Sequence, residues 1–530
     1  MSEPPSSPNA LQSLPQDWWV QILDQISPSD RKSIVATCRG LRVSSEASVY
    51  RQVSIDWLRP PLKRVLDLFR VIYKRPDLAS CIHHVSMIPS KLQYPANDQM
   101  DKWVPPQIDG DWNQLFSHFH KEVNAAKEII IMAQFPSPTK WINALEHGDP
   151  YAFVAVLLSQ LHNLRSLQLD YTFVWQSGFP GLMIRHALLS APEKTLSRFS
   201  ELSVVEYGMN VPQSRVFHEL GAQFIDGFPA CDQEQFTGWF YLPALNSLEI
   251  WLQNLEEVKD ELAKPTEASK LAHLAQLERL VLAESFIDEN EARILLSHLS
   301  SLKSLHLGLV YPSQDRELGF NWCSPRPPLK EPGVLLKGLM SVKDTVEHLS
   351  IGMELCPTYY CTEWGSDKRD NGTPEQSFKQ CPGILKHFSC LKTAELPAPV
   401  LFGWYTDAAA PLSELLPSTL QKLSIRDEMM SAEDFEWDDN AVASAILKFL
   451  PTAKRTAPLL DTITLRSLVM GKGNEWDEDS ARKPRNLSEE LGLNVHINKI
   501  MDNTSPGLWT THRELYEATR RDCQDLPRTW

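Results

Sequence analysis

Residues 149–170 read DPYAFVAVLLSQLHNLRSLQLD, and two different periodicities meet inside this stretch. Asp149 and Pro150 are a polar cap and a first-turn proline, so the apolar run that follows, YAFVAVLLSQL, is expected as a helix. Just beyond that run, Leu164-x-x-Leu167-x-Leu169 alternates apolar and polar positions, which predicts a short strand. The same phrase recurs along the chain as Phe199-x-x-Leu202-x-Val204, Leu245-x-x-Leu248-x-Ile250, Leu277-x-x-Leu280-x-Leu282 and Leu302-x-x-Leu305-x-Leu307. It continues as Val346-x-x-Leu349-x-Ile351, Leu391-x-x-Ala394-x-Leu396, Leu420-x-x-Leu423-x-Ile425 and Leu460-x-x-Ile463-x-Leu465, with Ile82-x-x-Val85-x-Met87 as an early copy. Several copies have a capped apolar helix beside them: Asp288 precedes ENEARILLSHL and Asn440 precedes AVASAILKFL.

Helix then strand, repeated, predicts an α/β chain with a parallel sheet. The middle residues stand from 25 (Leu280 to Leu305) to 46 (Leu202 to Leu248) apart, so the array is irregular and mostly longer in period than a standard leucine-rich repeat. The predicted architecture is a leucine-rich-repeat-like solenoid over residues 49–530, with its strands on the concave face. Strand side chains alternate, so the residues between the buried positions face outward on that surface and are the candidate readers of a protein substrate. They include Gln168, Asp170, Glu201, Ser203, Glu249, Trp251, Arg279, His306, His348, Glu395, Arg426 and Arg466. Trp251, Arg279, Arg426 and Arg466 are the expected hot spots, because aromatics and arginine dominate interface energetics.

The start of the chain is different. Residues 1–10 are rich in Pro and Ser and are expected to be a flexible leader. From Leu14 the text is LPQDWWVQILDQISPSDRKSIVATCRGLR. Trp18, Ile22 and Ile26 fall at helical spacing, with Trp19 and Leu23 beside them, and a second helix starting at Ser29 or Asp30 carries Ile34, Val35, Cys38 and Leu41 on one face. A short strand from Tyr50 to Trp57 follows. Helices this short cannot bury such a stripe among themselves, so part of it is expected to meet a partner or the next domain.

Leu14 to Arg42 resembles the F-box, with its Leu-Pro opening, its helix of paired apolar positions, its Pro-x-Asp turn and its Cys38-Arg39 pair; Arg31 and Leu41 depart from the family's usual Leu and Trp. The array behind it looks like the divergent repeats of fungal-type F-box proteins. The resemblance implies a three-helix F-box over 11–48 that docks on the Skp adaptor of an SCF-type cullin-RING ubiquitin ligase. The adaptor-binding set is then Leu14, Pro15, Trp18, Trp19, Ile22, Leu23, Ile26, Ile34, Val35, Cys38 and Leu41, and the chain is a non-catalytic substrate receptor. The alternative is a stand-alone interaction scaffold whose first helices merely cap the array.

Composition narrows the other classes. The chain has 530 residues, 42% apolar, with 67 acidic against 52 basic residues, a net charge of −15. That field repels phosphate backbones, so nucleic acid is not an expected partner. No apolar run reaches a membrane-spanning length, and the first residues lack a secretory pattern. Nine scattered cysteines suit reduced thiols in the cytoplasm or nucleus. Catalytic constellations are missing: His218-Glu219 is followed by Ala222 where a zinc peptidase needs a second His, and Gly471-Lys472-Gly473 lacks the rest of a phosphate loop. Cys356, Cys361 and Cys381, with His387 or Cys390, lack a paired knuckle, so no metal and no cofactor is expected. Turn-rich inserts are expected at about 88–110, 311–333, 356–382 and 471–487, acid clusters at Glu433–Asp439 and Glu475–Asp479, and a capping helix from Gly507.

Overall fold

The computed structural model describes residues 16–26, 28–37, 46–57, 59–88, 111–170, 172–176, 178–209, 234–252, 255–264, 269–285, 287–312, 333–356, 383–407, 409–426, 436–468 and 492–500. Among the described residues twelve strands form one sheet in sequential order: β1 (Gln52–Asp56), β2 (His84–Ile88), β3 (Ser166–Leu169), β4 (Val204–Tyr207), β5 (Ser247–Leu252), β6 (Arg279–Ser285), β7 (Ser304–Pro312), β8 (His348–Cys356), β9 (Thr393–Pro397), β10 (Lys422–Arg426), β11 (Thr462–Leu468) and β12 (Asn494–Ile500). Every pairing is parallel. Parallel neighbours need a crossover between them, and helices supply it. They include α1 (Gln16–Gln25), α2 (Pro28–Thr37), α3 (Leu62–Lys74), α4 (Trp112–Met132), α5 (Pro150–Leu158), α6 (Phe179–Leu189), α7 (Glu289–Leu296) and α8 (Asp439–Phe449). This is the α/β, solenoid-like arrangement that the repeated phrase predicts.

The phrase works because its three apolar positions point the same way. In register, Leu167, Val205, Leu248, Leu280, Leu305 and Leu349 form one column across β3–β8, and all six are buried. The leading residues Leu245, Leu277, Leu302, Leu391, Leu420 and Leu460 are each 0% exposed. Each such side chain contributes about 1.5–3 kcal/mol by leaving water, so the columns are the main source of cohesion between repeats. One copy is corrected: Leu167 pairs with Val205, so the fourth strand reads Leu202-x-x-Val205-x-Tyr207, three residues later than Phe199-x-x-Leu202-x-Val204. The sequence there offers apolar residues at 199, 202 and 205, and only the pairing decides between the two frames.

Caps fix where the helices begin. Asp149 accepts hydrogen bonds from the backbone N–H of Tyr151 (2.8 Å) and Ala152 (3.2 Å), and α5 behind it is buried at all nine positions. Asp288 and Glu291 form a reciprocal capping box on α7. For α8 the cap is Asp438, accepting from Ala441 N at 2.7 Å, two residues before the expected Asn440. α2 starts at Pro28, ahead of the expected Ser29 or Asp30, since a proline needs no N–H partner in a first turn. The described part of the N-terminal module is α1, α2 and a helical turn over 46–50; the leader 1–10 lies outside the described residues.

All strands run the same way, so their amino ends share one rim of the sheet and their carboxyl ends the other. At the amino rim, Lys303 N and Ser304 N both donate to Glu278 O, Glu347 N and His348 N to Lys303 O, and Lys392 N and Thr393 N to Glu347 O. The side chains at these positions alternate in sign, with Lys303 Nζ 2.8 Å from Glu278 Oε1 and Lys392 Nζ 2.5 Å from Glu347 Oε2. The intervals 89–110, 210–233, 313–332, 357–382, 427–435 and 469–491 follow the carboxyl ends of β2, β4, β7, β8, β10 and β11. They contain most of the expected inserts, and they and the expected capping helix from Gly507 lie outside the described residues.

Candidate functional site

The face of the sheet opposite the leucine columns carries polar residues at alternate positions. Gln168, Glu206, Glu249, Val281, His306, Ser350 and Glu395 stand side by side on β3–β9, followed by Ser424 and Thr464. Adjacent parallel strands lie about 4.8 Å apart, so each of these side chains can reach the next. Gln168 Nε2 donates to Glu206 Oε2 at 2.8 Å. Arg279 Nε donates to Glu249 Oε1 at 2.7 Å, and its other end reaches Ser304 Oγ at 3.3 Å. Glu395 serves two arginines on two strands, Arg426 at 3.3 Å and Arg466 at 3.4 Å.

This row is drier than an ordinary solvated sheet face. Glu206, His306, Ser350, Glu395 and Arg426 are all buried, Arg426 at 1% exposure. Burial of a charge is costly unless it is paired, and the Glu249–Arg279 and Glu395–Arg426 contacts meet that condition. His306 is held well below the ordinary histidine range, first by burial and then by the nearby positive charges of Arg426 and Arg279. The imidazole is therefore neutral at pH 7, and the field around it is cationic.

The expected readers divide accordingly. Glu249, Arg279, His306, Glu395, Arg426 and Arg466 come together across the middle and later strands, and Gln168 joins them through Glu206. Glu206 is missing from the expected readers, because the misplaced frame of β4 puts Glu201 and Ser203 on this face. Glu201 instead precedes the strand and pairs with Arg165 at 2.9 Å. Asp170 belongs to a turn: it is 2% exposed and accepts from Thr172 N at 3.0 Å and Thr172 Oγ1 at 2.5 Å. His348 is exposed and its Nδ1 lies 2.9 Å from Thr393 Oγ1. The backbone of Trp251 lies in β5, and its side chain lies outside the described set.

A second surface lies on α1. Leu23 is 0% exposed, whereas Trp18 is 61% and Ile22 38% exposed. Ile26 and Ile34 are half-buried. Leu14, Pro15, Cys38 and Leu41, and the side chains of Trp19 and Val35, lie outside the described residues. Among the described residues no group of three or more His, Cys, Asp or Glu is arranged to hold a metal, with Cys361 and Cys381 outside them, and no helix is long and apolar enough to cross a membrane. No family model matches the chain, and no curated protein matches it significantly.

Proposed function

We propose that the chain is a substrate receptor of an SCF-type cullin-RING ubiquitin ligase, in which the N-terminal helices bind the Skp adaptor and the polar sheet face binds a protein substrate. The observation that carries this reading is on α1: Trp18 and Ile22, one helical turn apart, stand in solvent while Leu23 is buried. A chain in water gains nothing from an exposed tryptophan beside an exposed isoleucine unless a partner covers them. Those two residues occupy the first apolar helix of the F-box-like stretch, and Leu14 and Pro15 match its opening pair. In this reading the chain positions a substrate, and the transfer chemistry belongs to the partners.

The test is co-purification of the full chain with a Skp adaptor, comparing wild type with a Trp18→Ala, Ile22→Ala variant. Both side chains are exposed, so the variant is expected to keep its circular dichroism spectrum and urea midpoint while losing the adaptor. A folded variant that retains the adaptor, or a wild type that never binds it, overturns the receptor reading in favour of a stand-alone scaffold.

A further inference from the structure

The first helix behind the N-terminal module departs from the charge of the rest of the chain. Residues 59–75 read RPPLKRVLDLFRVIYKR, six basic residues and one acidic, in a chain whose net charge is −15. The stretch contains α3, which buries Leu62, Val65, Leu66, Phe69 and Ile72 and so turns its charges outward. Arg59, Lys63, Arg64, Lys74 and Arg75 are exposed, and Arg70 is half-buried.

Three of the six cations are paired. Lys63 lies 2.7 Å from Asp67. Arg70 lies 2.7 Å from Glu122 and 3.9 Å from Asp67, with its guanidinium over the Phe119 ring at 4.3 Å. Arg75 lies 2.7 Å from Asp77 and 3.5 Å from Glu46. Asp67, Asp77, Glu46 and Glu122 are thereby engaged by Lys63, Arg70 and Arg75. Lys74 adds to the positive field at Glu122, but the bond to that carboxylate is made by Arg70. Arg59, Arg64 and Lys74 form no ion pair among the described residues, with these four carboxylates or with Asp56 at the end of β1. The stability of α3 does not account for Arg64 either. It stands in the first turn, where a cation opposes the helix dipole, and that turn has no acidic residue and no side-chain cap.

Arg64 and Lys74 are ten residues apart, about 15 Å along the helix axis. That exceeds the roughly 8 Å over which exposed charges act at physiological salt, so one small anion cannot serve both. Val71, half-buried, lies between them on the same side of the helix.

We propose that the outer face of α3 binds an acidic segment of a partner protein, with Arg64 and Lys74 as two separate anchors, Arg59 beside the first and Val71 as an apolar contact between them. The segment carries carboxylates about 15 Å apart, a ten-residue spacing on a helix or four to five residues on an extended chain. A nucleic acid or an anionic membrane extends across the molecule and meets its overall negative charge, whereas a short segment meets only the local face. The proposal goes beyond the receptor reading and involves neither the adaptor nor the polar sheet face.

The experiment immobilises the full-length chain and measures retention of three N-acetylated, amidated 12-residue peptide pools, randomised among Ala, Leu and Ser except for four fixed positions that are all Glu, all Gln or all Lys. Vesicles containing phosphatidylserine and a short DNA duplex are run beside them. The Glu pool is expected to be retained about fivefold above the Gln pool at low salt, a preference that shrinks as salt is raised. A double variant, Arg64→Glu with Lys74→Glu, is expected to abolish the preference, with circular dichroism checking its fold. Arg64→Gln with Lys74→Gln removes the charges without adding new ones, so it keeps the test decisive if the charge reversal unfolds the chain. Equal retention of the Glu and Gln pools, a preference that ignores salt, a preference that survives in either folded variant, or retention of vesicles or DNA above the Glu pool overturns the proposal. No adaptor is present, so a negative result here leaves the adaptor complex intact, and loss of that complex in the Trp18→Ala, Ile22→Ala variant leaves this measurement unaffected.

Discussion

Asp149 shows how a single capping residue carries a penalty along with its benefit. Its carboxylate satisfies two N–H groups of α5, yet the surrounding protein, by desolvating it, pushes its pKa up to about 6 from 3.8. A carboxyl with a raised native pKa binds its proton more tightly in the folded than in the unfolded chain. Stability therefore falls as pH rises from about 4 to about 6 and stays lower above that window. An asparagine in this place is as good a cap and has no ionisable group, so Asp149→Asn is expected to raise stability at pH 8 by about 1–2 kcal/mol. The gain should vanish below pH 4. Urea midpoints of the two proteins at pH 4, 6 and 8 check this, and a gain independent of pH would remove the ionisation argument.

At the scale of elements, the capping box on α7 also ties one repeat to the one before. Glu291 accepts from Asp288 N at 2.9 Å through one oxygen and from Leu255 N at 3.1 Å through the other. Glu291→Ala strands both donors and is expected to cost about 2 kcal/mol. Glu291→Gln keeps an acceptor and sheds a carboxylate whose pKa burial already raises, so it should cost much less; a urea titration of both variants separates them. Elements like this one are legible in the sequence, because Asp149 and Asp288 each stand directly before an apolar run and because the leucine phrase is a local pattern. What stays hidden is whatever depends on pairing. Apolar residues at 199, 202 and 205 leave the frame of β4 undetermined, and with it Glu206. The polar face is legible as a set of alternating residues, but its dryness is not, since burial of Arg426 and His306 arises from neighbours distant in sequence. That Asp170 serves a turn follows from Thr172 lying two residues away, a short-range cue available in the sequence.

Across the whole molecule, the alternating charges at the amino rim act on the alignment of repeats. Glu278, Lys303, Glu347 and Lys392 occupy equivalent positions before β6–β9, each bonded to its neighbour through the backbone. Lys303→Glu sets three carboxylates in a row, and like charges facing each other across strands are destabilising. The two lysines are exposed and the two glutamates half-buried at the rim, so the loss should be largest at low ionic strength and shrink as salt screens it. Urea midpoints of wild type and variant at low and high salt check this, and a difference that ignores salt would assign the effect to packing. The sequential order of the strands has a mechanical consequence as well. Among the described residues β12 pairs with β11 alone, β11 with β10 and β12, and so on to β1, so no described strand is clamped between described partners from remote parts of the chain. Force applied at β12 meets one parallel seam at a time, and the sheet peels in steps instead of shearing as a block. Each step releases the chain between successive strands, such as the 25 residues from Leu280 to Leu305, about 85 Å when drawn taut.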